Sequence, residues 1–491
     1  MLPSVSPRRS VTPLDRAFRV LGLAVVSWLC STAATAQDAG TANAPQPSEQ
    51  PATTPELSAP AAEAPNDVTP PASDAAPPAA APPTTAPSEA VPTTPAPTTP
   101  PTDALPEPLA PYDAPFPAAF PLDVHAFVSQ GFLLSTGNNF LARSKDGSFE
   151  FTEAAINFTK SVTDELRLGM QLFSRKVGPN GSYAPYFDWY YLDYHVADWF
   201  GIRAGRTKIP FGLYNESNDV DAGRVPVLLP QSLYRSQHRE ILLAVTGGEL
   251  YGNFRLGALG QLEYRAYGGT FSLDAVSVVK PNVTIKEVKA HYLVGGRLMW
   301  LTPLDGLQVG ASFQKLRYEF TSVFDPAVRD LFVTLGLAPM GFDGIVKLDF
   351  PIQLWVASAE YAVGDLLLAA EYGRWWADLK SSAPTLIPSS GPVNERYYVM
   401  GSYRFLPWLT PGVYYSGYYV DREHREGRQQ YLHDFAATLR FDFNAFWLLK
   451  LEAHLMRGTA ELDDQALNAG KEPKDLERDW ALFLIKTTAY F

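Results

Sequence analysis

Charged side chains at alternating positions of predicted strands are the residues best placed to do chemistry. Strand alternation puts nine of them on one face: Arg167, Arg203, Arg265, Arg297, Arg396, Arg404, Arg440, Lys450 and Glu452. Three acids, Glu216, Asp219 and Asp221, follow the strand that ends near Arg206. Acids that face a basic wall create a transverse field, which orients water and polar solutes. The pattern therefore indicates electrostatic selection rather than bond breaking.

Catalytic and metal-binding motifs are missing from the sequence. The seven histidines are scattered over separate strands and loops, and neither Gly-x-Ser-x-Gly nor His-Glu-x-x-His occurs. The acidic run Asn218-Asp219-Val220-Asp221 does not fit an EF-hand. We see no glycine-rich phosphate loop and no nucleic-acid patch. The prediction is no catalytic residue, no cofactor, no metal and no nucleic-acid partner.

The elements that must position these charges are strands. From residue 122 to residue 491, runs of about ten residues with alternating apolar character are separated by breaks. Seven tight breaks, such as Val162–Glu165, alternate with eight long ones, which include Pro210–Glu240, Asp274–Lys289 and Thr321–Lys347. Short turns on one side and long loops on the other are typical of outer-membrane barrels. The prediction is an all-β, closed antiparallel transmembrane β-barrel of about 16 strands.

The alternation also predicts which side chains face lipid. In one run Leu449, Leu451 and Leu455 would point outward, and Lys450, Glu452 and His454 inward. Polar inward positions predict a wet lumen. Aromatic residues near the ends of runs predict girdles at the two membrane interfaces: Trp199, Phe200, Trp300, Trp375, Trp376, Trp408, Phe446, Trp447 and Trp480.

Residues 1–36 have the anatomy of a secretory signal peptide. Arg8 and Arg9 supply positive charge, Val20–Leu29 is a short apolar run, and Ala34-Thr35-Ala36 is a small-residue cleavage site. A membrane anchor is the alternative, but about 20 apolar residues are needed to cross the bilayer. A lipoprotein signal ending at Cys30 is a second alternative, although bulky residues precede that cysteine.

Residues 37–121 are rich in proline, alanine and threonine and contain no lysine or arginine. Such a segment has too little apolar surface to offset its ordering entropy, so a disordered, acidic periplasmic spacer is predicted. A passive linker and a tether that touches peptidoglycan both remain open.

The strand end Gly205-Arg206-Thr207-Lys208-Ile209-Pro210-Phe211-Gly212-Leu213 matches the pattern Gly-x-x-Lys-x-Pro-Phe-Gly-Leu. Here the chain resembles the porin superfamily of Gram-negative outer membranes, in particular the phosphate-selective (porin O/P-like) and related proteobacterial porins. The resemblance implies a homotrimer and a third loop folded into the barrel. It implies that a narrow point is lined by Tyr214, Asn215, Glu216, Asn218, Asp219, Asp221 and Arg224.

Two further features bear on function. Lysine is sparse and acids share the predicted lumen face, so general diffusion of small hydrophilic solutes or ions is favoured over phosphate selectivity. The terminal Phe491 resembles the signal by which barrel-assembly machinery recognises its clients. The leading prediction is a passive porin in the outer membrane of a Gram-negative bacterium, in contact with its lipid. A structural barrel that tethers the envelope and a barrel-embedded hydrolase are the alternatives.

Overall fold

The computed structural model describes residues 122–236, 239–271, 279–280, 283–460, 462, 467–468, 471 and 475–491. The predicted signal peptide (1–36) and spacer (37–121) lie outside the described residues. They therefore stay predictions.

Strands account for most of the described chain. In chain order they are β1 (Asp123–Ser135), β2 (Phe151–Ser161), β3 (Leu166–Val177), β4 (Tyr186–Ala197), β5 (Phe200–Lys208), β6 (Ala244–Arg255), β7 (Gln261–Thr270), β8 (Val279–Lys280), β9 (Val283–Leu301), β10 (Leu307–Phe324), β11 (Ile345–Val363), β12 (Leu366–Ala377), β13 (Lys380–Ser381), β14 (Val393–Tyr403), β15 (Leu409–Tyr419), β16 (Tyr431–Asn444), β17 (Trp447–Gly458) and β18 (Asp479–Tyr490). The described helices are the short Arg239–Leu242 and Pro326–Thr334, together with single 3-10 turns.

The strands form one antiparallel sheet that closes on itself, because β1 pairs with both β2 and β18. Two of the eighteen strands, β8 and β13, have only two residues and extend the edges of β9 and β11. The other sixteen form the barrel, which confirms the predicted fold class. Phe491 exchanges backbone hydrogen bonds with Ala126 of β1, at 3.0 and 3.1 Å. Closure pairs the first described strand with the last, so the membrane-spanning part of the described sheet has no free edge, as a bilayer requires.

Three neighbouring strands are longer than the sequence pattern suggested. The breaks predicted at Asp274–Lys289 and Thr321–Lys347 are partly strand, because Val283 pairs with Phe324 and Ile345 with Val323. A 19-residue strand is about 63 Å long, or about 45–50 Å in height after barrel tilt, against an apolar band of about 25 Å. The polar outer ends of these strands therefore extend beyond the membrane. Because they are polar, the sequence pattern predicted loops there.

The outward face of the barrel is apolar, as the strand alternation predicts. On β17, Leu451 and Leu455 are 37% and 65% exposed, whereas Lys450, Glu452 and His454 point inward and are buried. The exposed apolar set covers the circumference: Val128, Leu134, Leu168, Met170, Ile202, Leu250, Leu298, Phe313, Leu368, Val399, Val413, Phe435, Leu451, Leu455, Phe483 and Ile485. Such a belt is the surface that a bilayer covers.

The aromatic prediction was right for some residues and wrong for two. Trp199, Trp300, Trp408, Phe446 and Trp447 are exposed beside turns, as a girdle requires. Trp375 and Trp480 are buried, at 7% and 4% exposure, because both occupy inward positions of their strands.

Leu451→Arg is expected to destabilise the barrel by about 2–4 kcal/mol, because it places a charge on the lipid face away from the strand ends. Trp447→Arg is the matched control, since it lies on the same face of β17 beside a turn, where the same charge costs about 0–1 kcal/mol. Urea unfolding in lipid vesicles measures both. Equal destabilisation by the two variants would contradict the assigned lipid face.

The interior is not uniformly polar, which corrects the prediction of a wet lumen throughout. Inward positions of β10 and β11 carry Leu316, Tyr318, Phe320, Leu348 and Phe350, all at most 3% exposed. They pack in one apolar cluster with Ile209, Phe211 and Leu233, which follow β5. This side of the barrel is dry because the segment after β5 folds inward and covers it.

Candidate functional site

The third loop runs between β5 and β6, and its described residues, 209–236 and 239–243, lie inside the barrel. Its side chains and backbone bond to inward-facing groups on strands spread around the sheet: Gly212 N–H to Ser312 Oγ of β10 (3.0 Å), Tyr214 Oη to Glu360 of β11 (2.6 Å), Asp221 to Lys450 of β17 (3.0 Å) and Asp221 to Thr488 Oγ1 of β18 (2.7 Å). A loop held from so many directions crosses the lumen rather than extending above it.

Glu371 of β12 holds the beginning of the third loop. Its buried carboxylate accepts a hydrogen bond from the Leu213 N–H at 3.0 Å and one from the Tyr398 hydroxyl at 2.8 Å. The hydroxyls of Tyr234 and Ser358 also donate to it. Four donors on one carboxylate satisfy a buried charge without a cationic partner.

Gly212 explains why the loop approaches this carboxylate so closely. Its φ of +60° lies in the left-handed region that glycine tolerates. A Cβ here would collide with the Tyr234 hydroxyl and the Glu371 carboxylate. The glycine of the Pro-Phe-Gly-Leu sequence is therefore required by space as well as by conformation.

A buried ion cluster holds the middle of the loop. The Asp221 carboxylate lies 3.0 Å from Lys450 Nζ and 3.3 Å from Lys486 Nζ, and all three side chains are 0% exposed. Burial alone would raise the pKa of Asp221, but the charges of Lys450, Lys486 and Arg224 outweigh it and hold the pKa well below its usual range. Asp221 therefore stays ionised and anchored.

Because the pKa of Asp221 is lower in the folded loop than in an unfolded chain, its contribution to docking is complete above the ordinary aspartate pKa of about 4. It is lost only as pH falls through the depressed value. We expect the amides of residues 221–224 to remain protected from hydrogen exchange at pH 4 as they are at pH 7, after correction for intrinsic rates. Loss of protection between pH 5 and pH 4 would contradict this.

Glu452 of β17 holds the next part of the loop. Its carboxylate accepts from the backbone N–H groups of Val227 (2.6 Å) and Leu228 (2.9 Å). His454 lies beside it, with Nε2 2.9 Å from Glu452 and Nδ1 2.9 Å from Asp434. Both ring nitrogens are engaged by carboxylates, so this buried histidine has no nitrogen free to activate a nucleophile.

A second ion cluster holds the two ends of the loop to the wall near β4 and β5. Asp219 lies 2.8 Å from Lys208 Nζ and 3.1 Å from Arg239. Arg239 also pairs with Asp188 of β4 at 2.8 Å. Burial alone would raise the pKa of Asp219. The positive charges of Arg239 and Lys208 lower it by more, so the pKa lies well below its usual range.

Beside the dry side, charges of both signs are partly exposed to the lumen. Glu216 of the third loop lies 3.1 Å from Arg265 of β7 and 3.3 Å from Arg297 of β9. On the neighbouring wall Arg203 joins Asp193 (2.9 Å) and Glu249 (3.2 Å). The side chains of Glu216, Arg203, Arg265 and Arg297 are 14–31% exposed, so a polar solute can reach them.

The predicted loop residues divide into two groups. Asn215, Asp219 and Asp221 are buried, and the Asn215 amide bonds to the carbonyls of Ile209 and Leu242, which ties the loop ends together. The remaining four are partly buried: Tyr214, Glu216, Asn218 and Arg224. Arg224 donates to the Asn218 carbonyl at 2.6 Å. Three of the seven are therefore buried anchors of the loop, and Tyr214 also anchors it through Glu360.

The predicted wall residues also differ among themselves. Arg396 is buried, donates to the Ser232 carbonyl at 2.8 Å and stacks over the Trp375 ring at 3.8 Å. Arg440 donates to the Ala222 carbonyl at 2.7 Å. Arg404 lies beyond the end of β14, in the turn to β15, with a side chain 65% exposed. Arg404 therefore lies one residue beyond the strand, and its assignment to the lumen wall stays a prediction.

Arg167 is exposed near the turn end of β3, and its position in the strand alternation is the same as that of the inward-facing Gln171.

Several anchors of the loop had not been singled out from sequence. They are Asp188, Tyr234, Arg239, Tyr398, Lys486 and Thr488. Lys486 could have been found from sequence, because its alternation on β18 is opposite to that of the apolar Phe483 and Ile485, which face outward.

No helix in the described part of the chain is long and apolar enough to span a bilayer. Among the same residues, no group of three or more histidine, cysteine or acidic side chains is arranged to hold a metal ion.

The fold and its surfaces define a class. A closed sixteen-stranded antiparallel barrel with an apolar outer belt, short turns at one end and long loops at the other is an outer-membrane β-barrel of the Gram-negative type.

No known family model matches the chain, and no curated protein matches its sequence. Solved barrels of similar structure include OmpT of Vibrio cholerae (TM-score 0.46, 13% identity, 75% of this chain and 97% of that one). An anion-selective porin from Comamonas acidovorans (0.47, 10%, 76% and 99%) and the outer-membrane channel DcaP of Acinetobacter baumannii (0.45, 13%, 75% and 97%) are also similar. At these scores the neighbours carry no argument about solute or assembly.

Proposed function

We propose that the chain is a passive porin, in which the third loop narrows the lumen and small hydrophilic solutes or ions diffuse past it. One observation carries this proposal: the third loop is bonded to inward-facing groups of strands on several sides of the barrel. Because its anchors are buried carboxylates and ammonium groups, it stays inside the barrel as a fixed obstacle.

The charges beside the loop support passage of polar solutes. Glu216 and the arginines Arg203, Arg265 and Arg297 are partly exposed, and selectivity at a constriction depends on its diameter and lining charges. The apolar cluster on β10 and β11 leaves no polar surface along its own part of the wall, so the polar route runs beside it. General diffusion is therefore proposed, with no solute singled out.

Planar-bilayer recording of the purified, folded protein tests the proposal. We expect discrete conductance steps, and a reversal potential in a salt gradient that reports the sign of selectivity. Folded barrels that insert into the bilayer without conductance steps would overturn it.

The hydrolase alternative has no support from His454, whose two nitrogens both meet carboxylates. The envelope tether rests on residues 37–121 and stays a hypothesis. Deletion of residues 38–110 tests it: conductance unchanged with impaired envelope integrity would favour a tether beside transport. The trimer, the contact with assembly machinery and the contact with peptidoglycan also remain predictions, and cross-linking in the membrane would test the trimer.

A further inference from the structure

A cavity lies between the third loop and the inner face of β2 and β3. Its empty volume is about 430 Å³, including the solvent at its mouth. The enclosed part has room for a particle the size of water or chloride rather than for an organic solute. Three guanidinium groups line it, together with two carboxylates and two amides: Arg175, Arg224, Arg239, Glu153, Asp219, Asn218 and Gln231.

Arg175 of β3 is the unusual residue of this cavity. Its side chain is only 7% exposed, yet no described group accepts a hydrogen bond from its Nε. Glu153 lies directly opposite in the β2–β3 register, but the Glu153 carboxylate is held by Lys486 at 2.8 Å. No described carboxylate oxygen comes within 4.0 Å of the Arg175 guanidinium. A buried cation without such a partner is strongly unfavourable.

The carboxylates around the cavity are fewer than the basic side chains. The connected cations are six: Arg175, Arg224, Arg239, Lys208, Lys450 and Lys486. The carboxylates that face them are four: Glu153, Asp188, Asp219 and Asp221. Among these residues the basic side chains outnumber the acidic ones by two.

We propose that this cavity binds a small inorganic anion of halide size, which pairs with Arg175 and bridges it to the third loop. Chloride fits because it is compact, accepts several N–H donors at once and needs no defined geometry. Arg224 and Gln231 belong to the loop and Arg175 belongs to the wall. An anion between them therefore adds a further anchor for the loop, separate from the polar route beside Glu216.

Bromide replaces chloride in such a site and scatters anomalously, so crystals soaked in sodium bromide test the proposal directly. We expect an anomalous peak in the cavity beside the Arg175 guanidinium. Arg175→Met should lose the peak. Arg167→Met is the matched control, because it makes the same substitution on the same strand at an exposed position, and it should keep the peak.

Hydrogen exchange of residues 225–229 gives a second readout. At constant ionic strength, with gluconate exchanged for chloride, a chloride concentration ten times the dissociation constant should slow exchange about elevenfold. Arg175→Met should show no chloride dependence. Wild-type protein with neither a bromide peak nor a chloride effect would overturn the proposal without needing any variant to fold. Conductance would be unaffected by that failure, so the porin proposal stands or falls separately.

Discussion

Asp221→Asn is expected to release the middle of the third loop while the barrel stays closed. The substitution keeps the shape of the side chain but leaves Lys450 and Lys486 buried beside a neutral group. Breaking one partner of a buried ion pair costs about 3–5 kcal/mol. In planar bilayers we expect larger and noisier conductance steps, and exchange protection of residues 220–224 should fall.

Asp349→Asn is the control for this variant. Asp349 pairs with Arg317 at 2.8 Å on the outward face of the barrel, where the Arg317 side chain is 43% exposed. An exposed pair contributes about 0–1 kcal/mol, so conductance and loop protection should match the wild type. Wild-type behaviour of Asp221→Asn as well would show that the loop does not depend on this ion cluster.

Glu216→Gln is expected to move ion selectivity toward anions. The variant removes one negative charge from the polar side of the lumen and leaves Arg265 and Arg297 without their shared partner. A unit charge at about 4 Å contributes about 1 kcal/mol even in bulk water, which corresponds to about a fivefold change in ion occupancy. Reversal potentials in a salt gradient measure the change in the permeability ratio.

Glu319→Gln provides the comparison, since Glu319 has the outward alternation of β10, between the inward-facing Tyr318 and Phe320. It removes the same charge from the protein without touching the lumen, and the permeability ratio should not move. If both variants shift selectivity equally, the effect is one of net charge and the role proposed for Glu216 is wrong.

The barrel could be predicted from sequence because its signals are local. A run such as Leu449–Leu455 shows in seven residues which side meets lipid, and the turns at 162–165 and 364–365 are marked by their own residues. The full length of strands β9–β11 was not predicted because their outer ends lie in water. There, polar residues occur in strands and loops alike and do not distinguish the two.

The anchors of the third loop were harder to predict because they depend on residues far apart in the chain. Asp221 was expected to line open space, yet it lies among Lys450, Lys486 and Thr488, which the loop sequence cannot indicate. The sequence around Phe211 and Leu233 likewise does not predict that they pack in one cluster with Tyr318 and Phe350. Charge and position identified the loop as important but not which of its residues are structural.

The contact between Asp221 and Thr488 joins residues 267 positions apart, and Lys486 belongs to the same last strand. Contacts of such long sequence separation form late, because loop closure entropy must be overcome first. The middle of the third loop can contact Lys450 of β17 earlier, but its set of anchors is complete only when β18 has entered the sheet beside β1. Insertion of the final strand and completion of the loop in the lumen therefore occur together during folding. An intermediate stalled before that step lacks both the closed sheet and the fully anchored loop.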